Sequence, residues 1–152
     1  MPKIPPITKV YYYAAPREKV FAALTDPKQL SKWFLGKATV TPRKGGTFRF
    51  TWKEGGFSMQ GKVNEFDPPA RVHYEWNDRF EGGKLFRTEA RFSLRSKGRG
   101  TELRLRHRGF KSGKKWTWLY GAINSGWTYY LLNLRSVLEH GTDLRSARDQ
   151  VT

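Results

Sequence analysis

The chain has 152 residues, no cysteine, 38% hydrophobic and 15% aromatic content, and a formal net charge of +16. This supplies one domain with a substantial core, and the lack of cysteine excludes disulfides, thiolate metal sites and thiol catalysis. No stretch approaches the roughly 18 apolar residues of a membrane span, and the opening MPKIPPITKV has no signal-peptide core, so a cytoplasmic protein is expected.

Residues 7–13 (ITKVYYY) read as a strand. Pro16 then stands where a helix of about ten residues would begin its first turn. Asp26-Pro27 repeats the pattern of cap followed by proline, so PKQLSKWF is expected to form a second short helix burying Leu30, Trp33 and Phe34.

From 37 to 109 the hydrophobic period becomes two. KATVT, TFRFTW, FSMQGKVNEFD, RVHYEW, FRTEARFSLRS and TELRLRHRG are separated by PRKGG, KEGG, DPPA, DRFEGG and KGRG, which are turn compositions, and predict six strands in hairpin succession. Alternation turns Phe48, Phe50, Trp52, Val72, Tyr74, Trp76, Phe92, Leu94, Leu103, Leu105 and His107 to one face. Val63 and Phe66 are three apart, which predicts a bulge near Asn64 and Glu65 that could bend the sheet and turn Glu65 inward.

The last element is a long helix whose inward arc holds Trp116, Leu119, Tyr120, Ile123, Trp127, Tyr130, Leu131, Leu134, Val137 and Leu138, with Gly141 as its stop. Trp118, Ala122, Ser125, Tyr129, Leu132 and Ser136 form a second stripe. It would be covered by the short helices, by the tail or by a second copy, a homodimer through Trp118, Tyr129 and Leu132. Residues 1–141 are expected to form a single domain, and 142–152 a polar tail that frays.

Together, TDP with LSKWF, GGTFRF, GKVNEFDPPARVHYEW, TELRLRHRGF and GWTYYLLNLRSVLEHG, in that order, resemble homologues of the activator of the ninety-kilodalton heat-shock protein's ATPase, within the SRPBCC superfamily. The resemblance implies an α+β helix-grip fold like that of the birch pollen allergen: a seven-stranded curved antiparallel sheet around a long C-terminal helix, with a cavity between. Some relatives bind lipids, hormones or polyketides. Eukaryotic co-chaperones of the group carry a further N-terminal domain outside the resemblance, and relatives often have acidic residues where this chain has Arg104, Arg106 and Arg108.

The leading expectation is therefore binding of a small hydrophobic or amphipathic molecule between sheet and helix. Trp52, Glu65, Tyr74, Trp76, Phe92, His107, Tyr120, Ile123, Trp127 and Tyr130 would line the site. His107, Tyr74 and Glu65 would orient the ligand, and Trp127 would face Tyr74 and Trp76 across the space. A cyclase- or hydrolase-type enzyme in the same cavity is the first alternative, and it needs an acid or base reachable from solvent. No catalytic residue is assigned. The second alternative is a chaperone-associated role, or a nucleic-acid or acidic partner on the basic face of Arg91, Arg95, Arg104, Arg106 and Arg108. His73, His107 and His140 have no metal-ligand spacing, so neither metal nor cofactor is expected.

Overall fold

A computed structural model describes residues 3–79 and 83–145. Strand β1 (Ile7–Tyr13) leads to helices α1 (Arg17–Thr25) and α2 (Pro27–Leu30). Strands β2 (Lys37–Val40), β3 (Thr47–Thr51), β4 (Ser58–Asp67), β5 (Arg71–Arg79), β6 (Leu85–Lys97) and β7 (Gly100–Arg108) follow, and helix α3 (Lys114–His140) closes the series. All seven strands join one antiparallel sheet in the order β1-β7-β6-β5-β4-β3-β2, curved against α3, so the expected α+β helix-grip class is the observed one.

Local chemistry explains the starts. The Asp26 carboxylate accepts from the Gln29 amide at 3.0 Å and Pro27 occupies the first turn, so α2 begins immediately after α1 ends. Helix α2 ends at Leu30, short of the expected stretch to Phe34, and in the turn that follows Trp33 Nε1 donates to the Ala23 carbonyl at 2.8 Å, fastening that turn to α1.

Strand β4 is irregular at its middle. Residues 58–62 pair with β3, and the register against β5 shifts between Val63 and Glu65. The bulge is where the spacing of Val63 and Phe66 predicts it, but it does not turn Glu65 inward. Asn64 is the extra residue, so Glu65 falls opposite His73 on the outer face. There its carboxylate meets Arg71 Nε at 2.9 Å and His73 Nδ1 at 3.2 Å.

The tail departs from expectation as far as it is described. Buried Asn133 donates from Nδ2 to the Trp33 carbonyl at 2.8 Å and accepts at Oδ1 from the Leu144 amide at 2.7 Å. Buried Arg145 donates to the carbonyls of Leu35 at 3.2 Å and Ser31 at 2.9 Å, and pairs with Asp143. Residues 142–145 are thus fastened beneath the chain that leaves α2 rather than frayed. The rest of the predicted tail, 146–152, lies outside the described residues.

Candidate functional site

The inward residues of β3, β5 and β6 meet α3 in a cluster of rings. Phe34 lies at its middle, 5.3 Å from Trp127, 5.4 Å from Trp52, 4.9 Å from Tyr130 and 6.3 Å from Trp76 between ring centroids. Trp127 packs at 5.2 Å from Trp76 and 5.4 Å from Phe92, and is 3% exposed. The void left among Trp33, Phe34, Phe50, Tyr74, Phe92 and Trp127 measures about 10 Å³. That is hardly room for one water, so the expected internal cavity is filled by side chains.

Two of the three polar groups assigned to orient a ligand are consumed by the fold. Tyr74 donates its hydroxyl to the Leu24 carbonyl at 2.7 Å, and burial pushes its pKa well up. His107 is fully buried, with both ring nitrogens engaged. Trp127 Nε1 can only donate, so at 3.0 Å it makes His107 Nδ1 an acceptor. The ring proton therefore sits on Nε2, which donates to Thr88 Oγ1 at 2.6 Å, and that hydroxyl donates onward to the Trp76 carbonyl at 3.3 Å. Burial pushes the His107 pKa down to about 3, which fixes the neutral form. Glu65, on the outer face, is the third correction.

Open space lies instead at the end of the helix-sheet seam. A pocket of about 120 Å³ is bounded by Phe34, Trp52, Trp76, Gly126, Trp127 and Tyr130, with Ile123 at its edge. Ile123 is also a wall of a second pocket, of about 400 Å³, formed with Phe57, Asp78, Arg79, Trp118, Leu119 and Ala122. The two adjoin at Ile123 as one cleft along α3, apolar except for Asp78 and Arg79. Of the ten candidate binding residues, Trp52, Trp76, Ile123, Trp127 and Tyr130 border it. Tyr74 and Phe92 lie beneath in the core. Tyr120 turns away to stack edge-on with Phe110 at 5.0 Å. A wider depression of about 690 Å³ on the outer face is bordered by Arg49, Gln60, Lys62, Asn77 and Arg87 as well as Phe48, Met59 and Leu85; its lining is mostly polar, so it suits a small apolar ligand less well.

Sequence reasoning missed Phe57, Asp78 and Gly126, and it placed Trp118 and Ala122 only on the outer stripe of α3, whereas both border the larger pocket. Asp78 was legible in principle, because it extends the inward series Val72, Tyr74, Trp76 by one more step of two, but its neighbours DRFEGG look like a turn. Gly126 has open space where a side chain would begin, on the cleft side of α3.

The family model for activator of Hsp90 ATPase homolog 1-like protein matches residues 14–139. The chain belongs to that family. Solved structures share its fold. Protein MLL2253 from Mesorhizobium loti is 24% identical, with a TM-score of 0.78 over 90% of this chain and 98% of that one. The Aha1 dimer from Colwellia psychrerythraea is 24% identical, with a TM-score of 0.76 over 91% and 99%. CalU16 from Micromonospora echinospora is 26% identical, with a TM-score of 0.68 over 95% and 82%. No curated protein matches the chain. Among the described residues, no helix is long and apolar enough to cross a membrane, and no cluster of His, Asp or Glu could hold a metal ion.

Proposed function

We propose that this protein binds a small apolar or amphipathic molecule in the cleft between the open end of the sheet and α3. The observation that carries the reading is a set of rings left open to solvent around one opening. Phe57 is 43% exposed and Trp118 64%, with Trp52, Ile123 and Tyr130 half-buried beside them. The enzyme alternative loses the residue that supported it, because His107 has no route to solvent and no free nitrogen. A polyanion at the basic face stays an alternative, supported by Arg104, Arg106 and Arg108 standing exposed in a row. A cytoplasmic setting remains part of the reading. So does a homodimer through Trp118, Tyr129 and Leu132, because a dimer is named for the Colwellia relative and Leu132 is left exposed here.

Gly126 provides the test. A glycine inside a helix costs about 1 kcal/mol relative to alanine, and a side chain here would project into the cleft with nothing to displace. Gly126→Leu is therefore expected to keep or raise stability while blocking the smaller pocket. Titration with the neutral fluorophore N-phenyl-1-naphthylamine should show saturable binding to the wild type, weakened about tenfold or more in the variant. A wild type that does not bind, or a variant that binds equally well, overturns the proposal.

A further inference from the structure

We infer that the cleft selects an apolar molecule carrying a protonated amine, with Asp78 as its counter-ion; this rests on the reading that the cleft takes a small apolar ligand. Asp78 occupies an inward position of β5 and lines the larger pocket. Its Oδ2 atom is buried and, among the described residues, accepts no hydrogen bond. Glu65, Asp67, Glu75, Glu89, Glu102, Glu139 and Asp143 each take a basic partner, whereas none of the ion pairs among the described residues includes Asp78. Among the described residues Glu18, Asp26 and Glu54 are also outside the ion pairs, but they are exposed, whereas Asp78 is half-buried.

Among the described residues none of the neighbouring cations is paired with Asp78, although Arg79 also lines the pocket. Arg79, at the pocket edge, donates to the Gly83 carbonyl at 3.0 Å. Across the strand pair, Lys84 lies over the Phe86 ring at 5.5 Å, and Arg87 turns outward to Asn77 Oδ1 at 3.1 Å and toward Glu75. On α3, Lys114 and Lys115 lie in the first turn. The stretch facing the pocket, 118–123, holds no charged residue, and its one phenol, Tyr120, packs on Phe110. A buried carboxylate without a partner is costly, and a cation brought by a ligand would relieve that cost.

The walls choose the kind of cation. Phe57, Trp118, Leu119, Ala122 and Ile123 offer one carboxylate no further oxygen ligands, which does not suit a hydrated inorganic ion. They do suit an ammonium on an apolar body, since ring faces attract a cation and aliphatic walls take the rest. Burial pushes the Asp78 pKa up to about 6, so the group is largely ionised at neutral pH and becomes neutral as pH falls through that value.

Quenching of tryptophan fluorescence by two isosteric probes tests this: 1-naphthylmethylamine, a cation at neutral pH, and 1-naphthylmethanol, which is neutral. The amine should bind about tenfold or more tighter than the alcohol to the wild type. That preference should vanish in Asp78→Asn and, in the wild type, at about pH 4.5, with alcohol binding unchanged in both cases. If the alcohol binds and the amine is no tighter, or if the preference survives either Asp78→Asn or the lower pH, the amine inference falls and the cleft reading stands. If neither probe binds the wild type, both fall. The pH series on wild type decides even if the variant does not fold.

Discussion

At the scale of one residue, His107 shows how an inward polar side chain becomes structural. Its position on β7 was legible from alternation. Its role depended on partners 19 and 20 residues away, Thr88 and Trp127, that alternation does not locate. With its pKa lowered from 6.5 to about 3, its contribution to stability is fully present above pH 6.5 and is lost as pH falls toward the lower value. Trp127 is tied to it. The expectation of a ring standing at a cavity would make Trp127→Ala mild, but the ring is enclosed by Phe34, Trp76 and Phe92. Urea melts should therefore show a loss of about 3–5 kcal/mol for Trp127→Ala. Trp127→Phe, which keeps much of the packing but strips His107 Nδ1 of its donor, should lose about 1–3 kcal/mol. A loss under about 1 kcal/mol in Trp127→Ala would mean that the ring is not part of the packed core.

At the scale of elements, the sheet was readable because each strand alternates bulky apolar with charged residues and each turn carries glycine or proline. Even the bulge in β4 was visible as a broken period. What spacing could not give was its direction, because either Asn64 or Glu65 could be the extra residue, and the choice fixes which side Glu65 faces. Nor could it show that the space under α3 is filled, since that depends on the summed volumes of rings from β3, β5, β6, α3 and the segment after α2. Asn133 and Arg145 escaped for a related reason: they are buried only because carbonyls of Trp33, Leu35 and Ser31, about 100 residues distant in the chain, satisfy them. On β7, Arg104, Arg106 and Arg108 are exposed. Arg106 stands opposite Arg91 across the β6–β7 pair and Arg104 beside exposed Val10 of β1, while Arg95 and Arg91 are neutralised by Glu102 and Glu89. Because Arg104 and Arg106 are in none of the ion pairs among the described residues, replacing both by Thr removes repulsion and keeps strand propensity. Thermal melts at low salt should show stability unchanged or raised slightly. A loss of several kcal/mol, against the half kcal/mol or so usual for surface changes, would mean that these side chains hold the sheet together.

At the scale of the molecule, the net charge of +16 sets the terms on which two copies could meet. The proposed seam on the back of α3 is apolar at Trp118 and Leu132, which are 64% and 40% exposed, so association there would bury surface that water now covers. Each approaching copy also brings its excess of positive charge, and that repulsion acts over a Debye length of about 10 Å at 0.1 M salt, shrinking to about 3 Å at 1 M. Apolar attraction is short-ranged and is not weakened by salt, so the balance between the two shifts toward association as salt rises. Sedimentation of the wild type should therefore show mostly monomer at low ionic strength and a growing dimer fraction toward about 0.5 M salt. Leu132→Glu places a charge in the centre of the seam but in open solvent for the monomer, so it should leave the melting temperature nearly unchanged and keep the protein monomeric at every salt concentration. Dimers held equally by wild type and Leu132→Glu would move the interface off this stripe. A wild type that stays monomeric throughout would leave Trp118 to the cleft alone, as part of its rim.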